Sequence, residues 1–140
     1  MFNYQKICQE VLGDLPERQK EVILRRFGLK GSERETLEAI GRDLTITRER
    51  VRQIEDDGFL KIKPKIVKYR KVLQYFSQYL KGHGGLRKEE FLLADLAGKK
   101  EKAQIYFLLT ISNNFERFGE NEDFYSFWAL NLDSLNSAQN

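Results

Sequence analysis

One cysteine and one histidine in 140 residues exclude more chemistry than any motif present suggests. A single cysteine, Cys8, allows neither an internal disulfide nor a thiolate metal cluster, and its neighbours Ile7, Val11 and Leu12 mark it as a packing residue. His83 stands between glycines, with no second ligand near it in the sequence. No glycine-rich loop runs into Lys-Ser or Lys-Thr, and no nucleophile is paired with a base. Glu89 and Glu90 are adjacent, but neighbours on a helix point apart. Catalysis is not expected, nor is a metal or a cofactor. Long apolar runs are missing too. None approaches the ~20 residues that span a bilayer, and no charged-then-apolar leader precedes a small-residue cleavage site. These absences point to a cytoplasmic protein with no membrane segment.

What is present suffices for a folded chain. With 41% hydrophobic and 12% aromatic residues, it can bury one ordinary core or two small ones, since domains commonly run from ~50 residues upward. The net charge of +3 conceals an asymmetry. Residues 1–71 hold 17 Lys and Arg against 12 Asp and Glu, a net of +5; residues 72–140 hold 7 against 9, a net of −2. The excess concentrates in "KIKPKIVKYRK", residues 61–71, with six basic residues and no acidic one. Such a run is either a solvated linker or, beside a DNA-reading helix, a source of phosphate contacts that steepen salt dependence through counterion release.

Helical spacing organises the first half. Ile7, Cys8, Val11, Leu12 and Leu15 recur on one face, and Pro16 with Glu17 suits the first turn of a following helix. Two helices are expected, over 3–13 and 16–27. Gly28 and the polar "KGSERE" end the second, Thr36 caps a third through "LEAIGRDL", and Thr47 caps a fourth. Pro64 ends or kinks that fourth helix.

The third and fourth helices form a helix-turn-helix candidate. Leu37, Ile40, Leu44, Ile46, Val51 and Ile54 supply the apolar positions that lock two crossed helices, and Gly41 permits their close approach. On a wheel of ~100° per residue, Val51, Ile54 and Gly58 share one sector. Arg48, Glu49, Arg52 and Gln53 share another, in the N-terminal half that a recognition helix inserts into the major groove. Arg can donate twice to guanine, Glu can accept from the cytosine amino group, and Gln can pair with adenine. The alternative is an intrahelical ladder of ion pairs three and four residues apart. Arg50, at the edge of the sector, is aimed at phosphate or at an acid of its own helix.

"LPERQKEVILRRFGL" followed by "TLEAIGRDLTITRERVRQIE" resembles region 4 of housekeeping bacterial sigma factors over about the first 63 residues. The resemblance implies an all-helical domain whose helix-turn-helix reads the minus-35 promoter element and whose other faces hold the flap tip of the RNA polymerase beta subunit. It assigns base reading to Arg48, Glu49 and Gln53. Arg18, Arg26, Thr36, Leu37, Thr47 and Arg50 match positions at the phosphate backbone, and Arg52 with Lys61 and Lys63 of the basic run joins that set. Val22, Ile23 and Phe27 fall where the flap is held. Asp56, Asp57 and Gly58 depart from the family, which favours small and basic residues there. Glycine inside a helix costs ~1 kcal/mol relative to alanine. The parts that hold a minus-10 element are not in the sequence, so a complete sigma factor is not expected.

The second half reads as three helices, "YRKVLQYFSQYL", "RKEEFLLADLA" and "KEKAQIYFLLTI", and then a β-hairpin: Phe115 and Phe118, a Gly-Glu-Asn-Glu-Asp turn, and an aromatic run from Phe124 to Leu130. This order, with the "RFG...FWAL" ending, resembles the HARE-type winged helix related to the N-terminal domain of the polymerase delta subunit. Its aromatics suit a small core, with a base-stacking platform as the rival reading. The expected fold is therefore mainly α: a four-helix sigma region 4-like helix-turn-helix domain at 1–66, a small α+β winged-helix domain at 67–133, and a polar tail at 134–140. The function expected is a sequence-specific transcription factor that binds promoter-like double-stranded DNA and RNA polymerase. The alternatives are a polymerase flap-binding protein that competes with sigma and reads little DNA, and a DNA-targeting module of a restriction or defence system.

Overall fold

Asn3 opens the first helix: its side-chain carbonyl accepts the Lys6 N–H at 3.0 Å. Helix α1 then runs Tyr4–Leu12, burying Tyr4, Ile7, Cys8, Val11 and Leu12 along one stripe. The structure, a computed structural model, describes residues 2–119 and 126–131. It comprises two compact units, Asn3–Val67 and a second beginning at Lys68.

In the first unit, α2 spans Glu17–Phe27. Pro16 is its N-cap and not, as the sequence suggested, part of its first turn: ψ of 146° keeps the residue extended while its carbonyl already accepts the Lys20 N–H. Gly28 ends the helix in the left-handed conformation. Helices α3 (Leu37–Leu44) and α4 (Arg48–Ile62) both start on threonine caps. Thr36 Oγ1 accepts the Ala39 N–H at 3.1 Å, and Thr47 Oγ1 accepts the Arg50 N–H at 3.0 Å. After Ile62 the chain tightens into a 3₁₀ helix, Lys63–Tyr69, because Pro64 has no N–H to continue the α-helical ladder.

Val22 of α2, Ile40 of α3 and Val51 and Ile54 of α4 form the core of the crossed helices, with Leu37, Leu44 and Ile46 packed on its edge. Two glycines set the approach distances. A Cβ on Gly41 would lie 2.8 Å from the Ile46 carbonyl oxygen, so the turn closes only around glycine. A Cβ on Gly58 would lie 2.8 Å from Ile23 Cδ1 and 3.5 Å from Gln19 Cβ. Gly58, a propensity defect by sequence, is thus the point where α2 crosses α4.

The second unit contains α5 (Arg70–Gly82), β1 (Leu86–Lys88), α6 (Glu89–Ala97), α7 (Lys102–Ile111), β2 (Phe115–Phe118) and β3 (Phe127–Leu130). The strands form an antiparallel sheet in the order β1-β3-β2. Strands β2 and β3 pair with Phe118 opposite Phe127 and Phe115 opposite Leu130. Residues 120–125, most of the expected turn together with Phe124 and Tyr125, lie outside the described residues, as does the tail at 134–140. Strand β1 corrects the expected helix over "RKEEFLLADLA": Arg87 and Lys88 belong to a strand paired with β3, and α6 begins at Glu89. Glu89 sits where these elements meet. Its carboxylate accepts from Arg117 Nε at 2.8 Å and from the Trp128 indole N–H at 3.0 Å. Phe76, Phe107, Phe115 and Trp128 are buried, which spends them on packing.

The chain is mainly helical with a small three-stranded sheet. No helix among the described residues is long and apolar enough to cross a membrane.

Candidate nucleic-acid interface

The start of α4 is positioned by its neighbours before any ligand arrives. The loop between α2 and α3 is tied down by Arg25, whose Nε and Nη2 hold both oxygens of Glu35 at 2.9 and 2.8 Å while Nη1 reaches Asp43 at 2.7 Å. This hydrogen-bonded guanidinium keeps the Glu35 carboxyl below its ordinary value. The network fixes the approach to Thr36, and so the first turn of α3. Sequence reading missed it, because Arg25, Glu35 and Asp43 share no short spacing. Thr36 Oγ1 engages the Ala39 N–H, leaving the first-turn amide of Leu37 without a helical partner. Leu37 itself packs on the core edge, so at this position only its backbone N–H faces outward as a donor.

From the capped start of α4, Arg48, Glu49, Arg50, Arg52 and Gln53 are all exposed, while Val51 and Ile54 point into the core. The sectors separated on the wheel are separate in space. Within the exposed set the side chains are engaged unequally. Arg52 holds Glu49 with Nε at 3.0 Å and Nη2 at 2.5 Å, and Asp56 with Nη1 at 2.8 Å. The ion-pair ladder offered as the alternative is thus formed, and its Arg52 hydrogen bonds lower the Glu49 pKa. Arg50 Nη1 donates to Gln53 Oε1 at 3.3 Å, which leaves the Gln53 amino group free to donate outward. Arg48 carries no hydrogen bond or ion pair among the described residues.

Other expected contacts fall differently. Arg18 is exposed on the first turn of α2, and Thr47 retains its hydroxyl proton for an outside acceptor. Arg26 is not a free phosphate ligand: its Nε bonds Glu55 at 2.7 Å and its Nη1 the Glu35 carbonyl at 3.2 Å. Glu55 is 8% exposed, so this pair braces α2 against α4 inside the domain. Lys61 and Lys63 stand at the far end of α4. Lys61 is thirteen residues from Arg48, a rise of ~20 Å against a major groove ~8.5 Å deep. On a helix that entered a groove by its N-terminus, these lysines would stand away from the duplex. Of the residues expected at the flap, Val22 and Ile23 are fully buried and Phe27 is 5% exposed. Phe27 packs edge-on against Phe59 at 6.0 Å, and Leu60, 69% exposed, is the apolar side chain left outside.

Residues 11–63 match the family described as Sigma-70, region 4. Over 52 residues the chain is 48% identical to the RNA polymerase sigma factor RpoS of Coxiella burnetii, which covers 37% of this chain and 15% of that protein. Over 56 residues it is 52% identical to the RNA polymerase sigma factor RpoD of Helicobacter pylori strain 26695, covering 39% of this chain and 8% of that protein. The chain therefore spans less than a sixth of the length of either relative, and the likeness belongs to its first unit.

Proposed function

We propose that the first unit, a sigma-70 region 4-like helix-turn-helix, binds a minus-35-like promoter duplex by sequence and associates with RNA polymerase. One observation carries this reading. Arg48, Glu49 and Gln53 stand exposed together at the threonine-capped N-terminal end of α4, with no hydrogen bond on Arg48 among the described residues. Arg48 and Gln53 donate to base edges and Glu49 accepts, while Arg18, Thr36, Thr47, Arg50 and the Leu37 amide fix register on the phosphates. Such a reader works in the cytoplasm. The second unit is proposed as a winged helix that binds a protein partner. Its element order, helix, strand, two helices and two strands, supports that reading, and its net charge of −2 over residues 72–140 disfavours a second duplex clamp.

A binding selection on random duplexes is the test. Enrichment of a minus-35-like motif is the expected result, and recovery of no motif would sink the reading. Leu60, exposed beside the Phe27–Phe59 contact, favours a second role at polymerase, in which the outer edge of the α2–α4 seam docks on the beta flap. Leu60→Glu should then abolish capture of polymerase while leaving the enriched motif intact.

A further inference from the structure

Asp56 is the acidic residue that DNA reading alone does not explain. It lies one turn beyond Arg52, half exposed, and its Oδ2 accepts Arg52 Nη1 at 2.8 Å. The other edge of the same guanidinium holds both oxygens of Glu49. We infer that Asp56 is a positioning residue for base readout: it clamps Arg52 along the helix, withholding that charge from phosphate and keeping Glu49 aimed as an acceptor. The inference rests on the proposed reading of the first unit.

The chemistry follows from counting donors and acceptors. With Glu49 alone, Arg52 is free to pivot, and a phosphate offers its planar fork as good a pair of acceptors as a carboxylate does. With Asp56 in place, all three guanidinium nitrogens are held, and a phosphate approaching Arg52 meets a triad of net charge −1. Glu49 gains its aim from the same clamp: with Arg52 fixed by Asp56, both Glu49 oxygens are held in place on α4. Each of its oxygens takes one Arg52 hydrogen and keeps capacity for a cytosine amino group. Ladder and readout are then one device, not rivals.

Asp57 supplies the control. It has the same charge one position on, ~100° further round the helix, and makes no hydrogen bond or ion pair among the described residues. The experiment is titration of the full chain onto its selected duplex and onto a duplex changed at the base pair assigned to Glu49. Wild type, Asp56→Asn, Asp57→Asn, Arg52→Ala and the Asp56→Asn/Arg52→Ala double variant are compared between 50 and 200 mM salt. Asp56→Asn is expected to tighten binding to both duplexes and narrow the preference between them about threefold. Its extra phosphate contact adds a roughly 3.5-fold loss of affinity across that salt range. Asp57→Asn leaves the preference where it was, and Asp56→Asn has no effect on preference once Arg52 is gone. If the two aspartate variants behave alike, or the Asp56 effect survives Arg52→Ala, Asp56 acts as diffuse charge and the inference is overturned. A wild type without preference for any duplex instead overturns the proposed function, and this inference with it.

Discussion

Of the three arginines at the start of α4, Arg52 is clamped by two acids, Arg50 rests on Gln53, and Arg48 makes no hydrogen bond or ion pair among the described residues. On the proposed reading, Arg48 would meet a base without first giving up a hydrogen bond within the protein. Arg48→Ala should cost ~1–3 kcal/mol toward the selected duplex and relax preference at one base pair. Lys61→Ala is the counterpart at the other end of the helix. A phosphate contact there would flatten the salt slope by ~1, but its distance along α4 predicts no change in slope or affinity. Fluorescence anisotropy titrations at several salt concentrations measure both. The two residues also show what spacing reveals. Periodicity distinguished the outward sector of α4 from its inward one, because 3.6 residues per turn is a local property. It says nothing of how far along the axis a groove extends, so the distance of Lys61 and Lys63 from the start of α4 is visible only in the structure.

At the scale of helices and strands, the two close-approach glycines lead to a graded prediction. Gly41→Ala drives a Cβ against the Ile46 carbonyl, backbone that has no rotamer by which to yield. It should lower unfolding stability by ~2 kcal/mol, within the usual range for overpacking. Gly58→Ala crowds the end of the Ile23 side chain, with Gln19 Cβ at ordinary contact distance, and recovers up to ~1 kcal/mol of helix propensity. Its loss should be clearly smaller, and equal or reversed losses in urea denaturation would refute this account of the seam. Thr36, Thr47 and Gly28 were legible in sequence because caps act through neighbours three to five residues away. The role of Gly58 was not, since it depends on α2, more than thirty residues upstream of it. Glu89 belongs to the same class. It read as one of two adjacent acids, yet it joins α6 to β2 and β3 through Arg117 and Trp128. Glu89→Ala leaves a half-buried guanidinium and an indole N–H without their acceptor, and should destabilise the second unit by ~2–4 kcal/mol. Trp128 is the single tryptophan, so its fluorescence during unfolding reports that loss.

At the scale of the whole chain, acid is the condition to which both units respond. Glu35 and Glu49 are held below their ordinary values by Arg25 and Arg52, and Asp95 by hydrogen bonds from Tyr79 and Arg87. A carboxyl whose folded pKa is depressed contributes its stability above the unfolded pKa and loses it as pH falls through the folded one. Thermal stability should therefore be flat above about pH 5 and decline below about pH 4. The partners are exposed enough that high salt should soften the decline in both units. Melting curves between pH 7 and 3 at low and high salt check this, and a decline that begins near neutrality would contradict it.

Among the described residues, strand β1 pairs only with β3, between residues some forty positions apart. During synthesis, residues 3–67 have every contact of their core available while β1 still waits for the last strand of its sheet to emerge. The order of translation therefore completes the first unit before the second, and a ribosome stalled before residue 127 would carry a finished helical unit on a tail whose sheet cannot close.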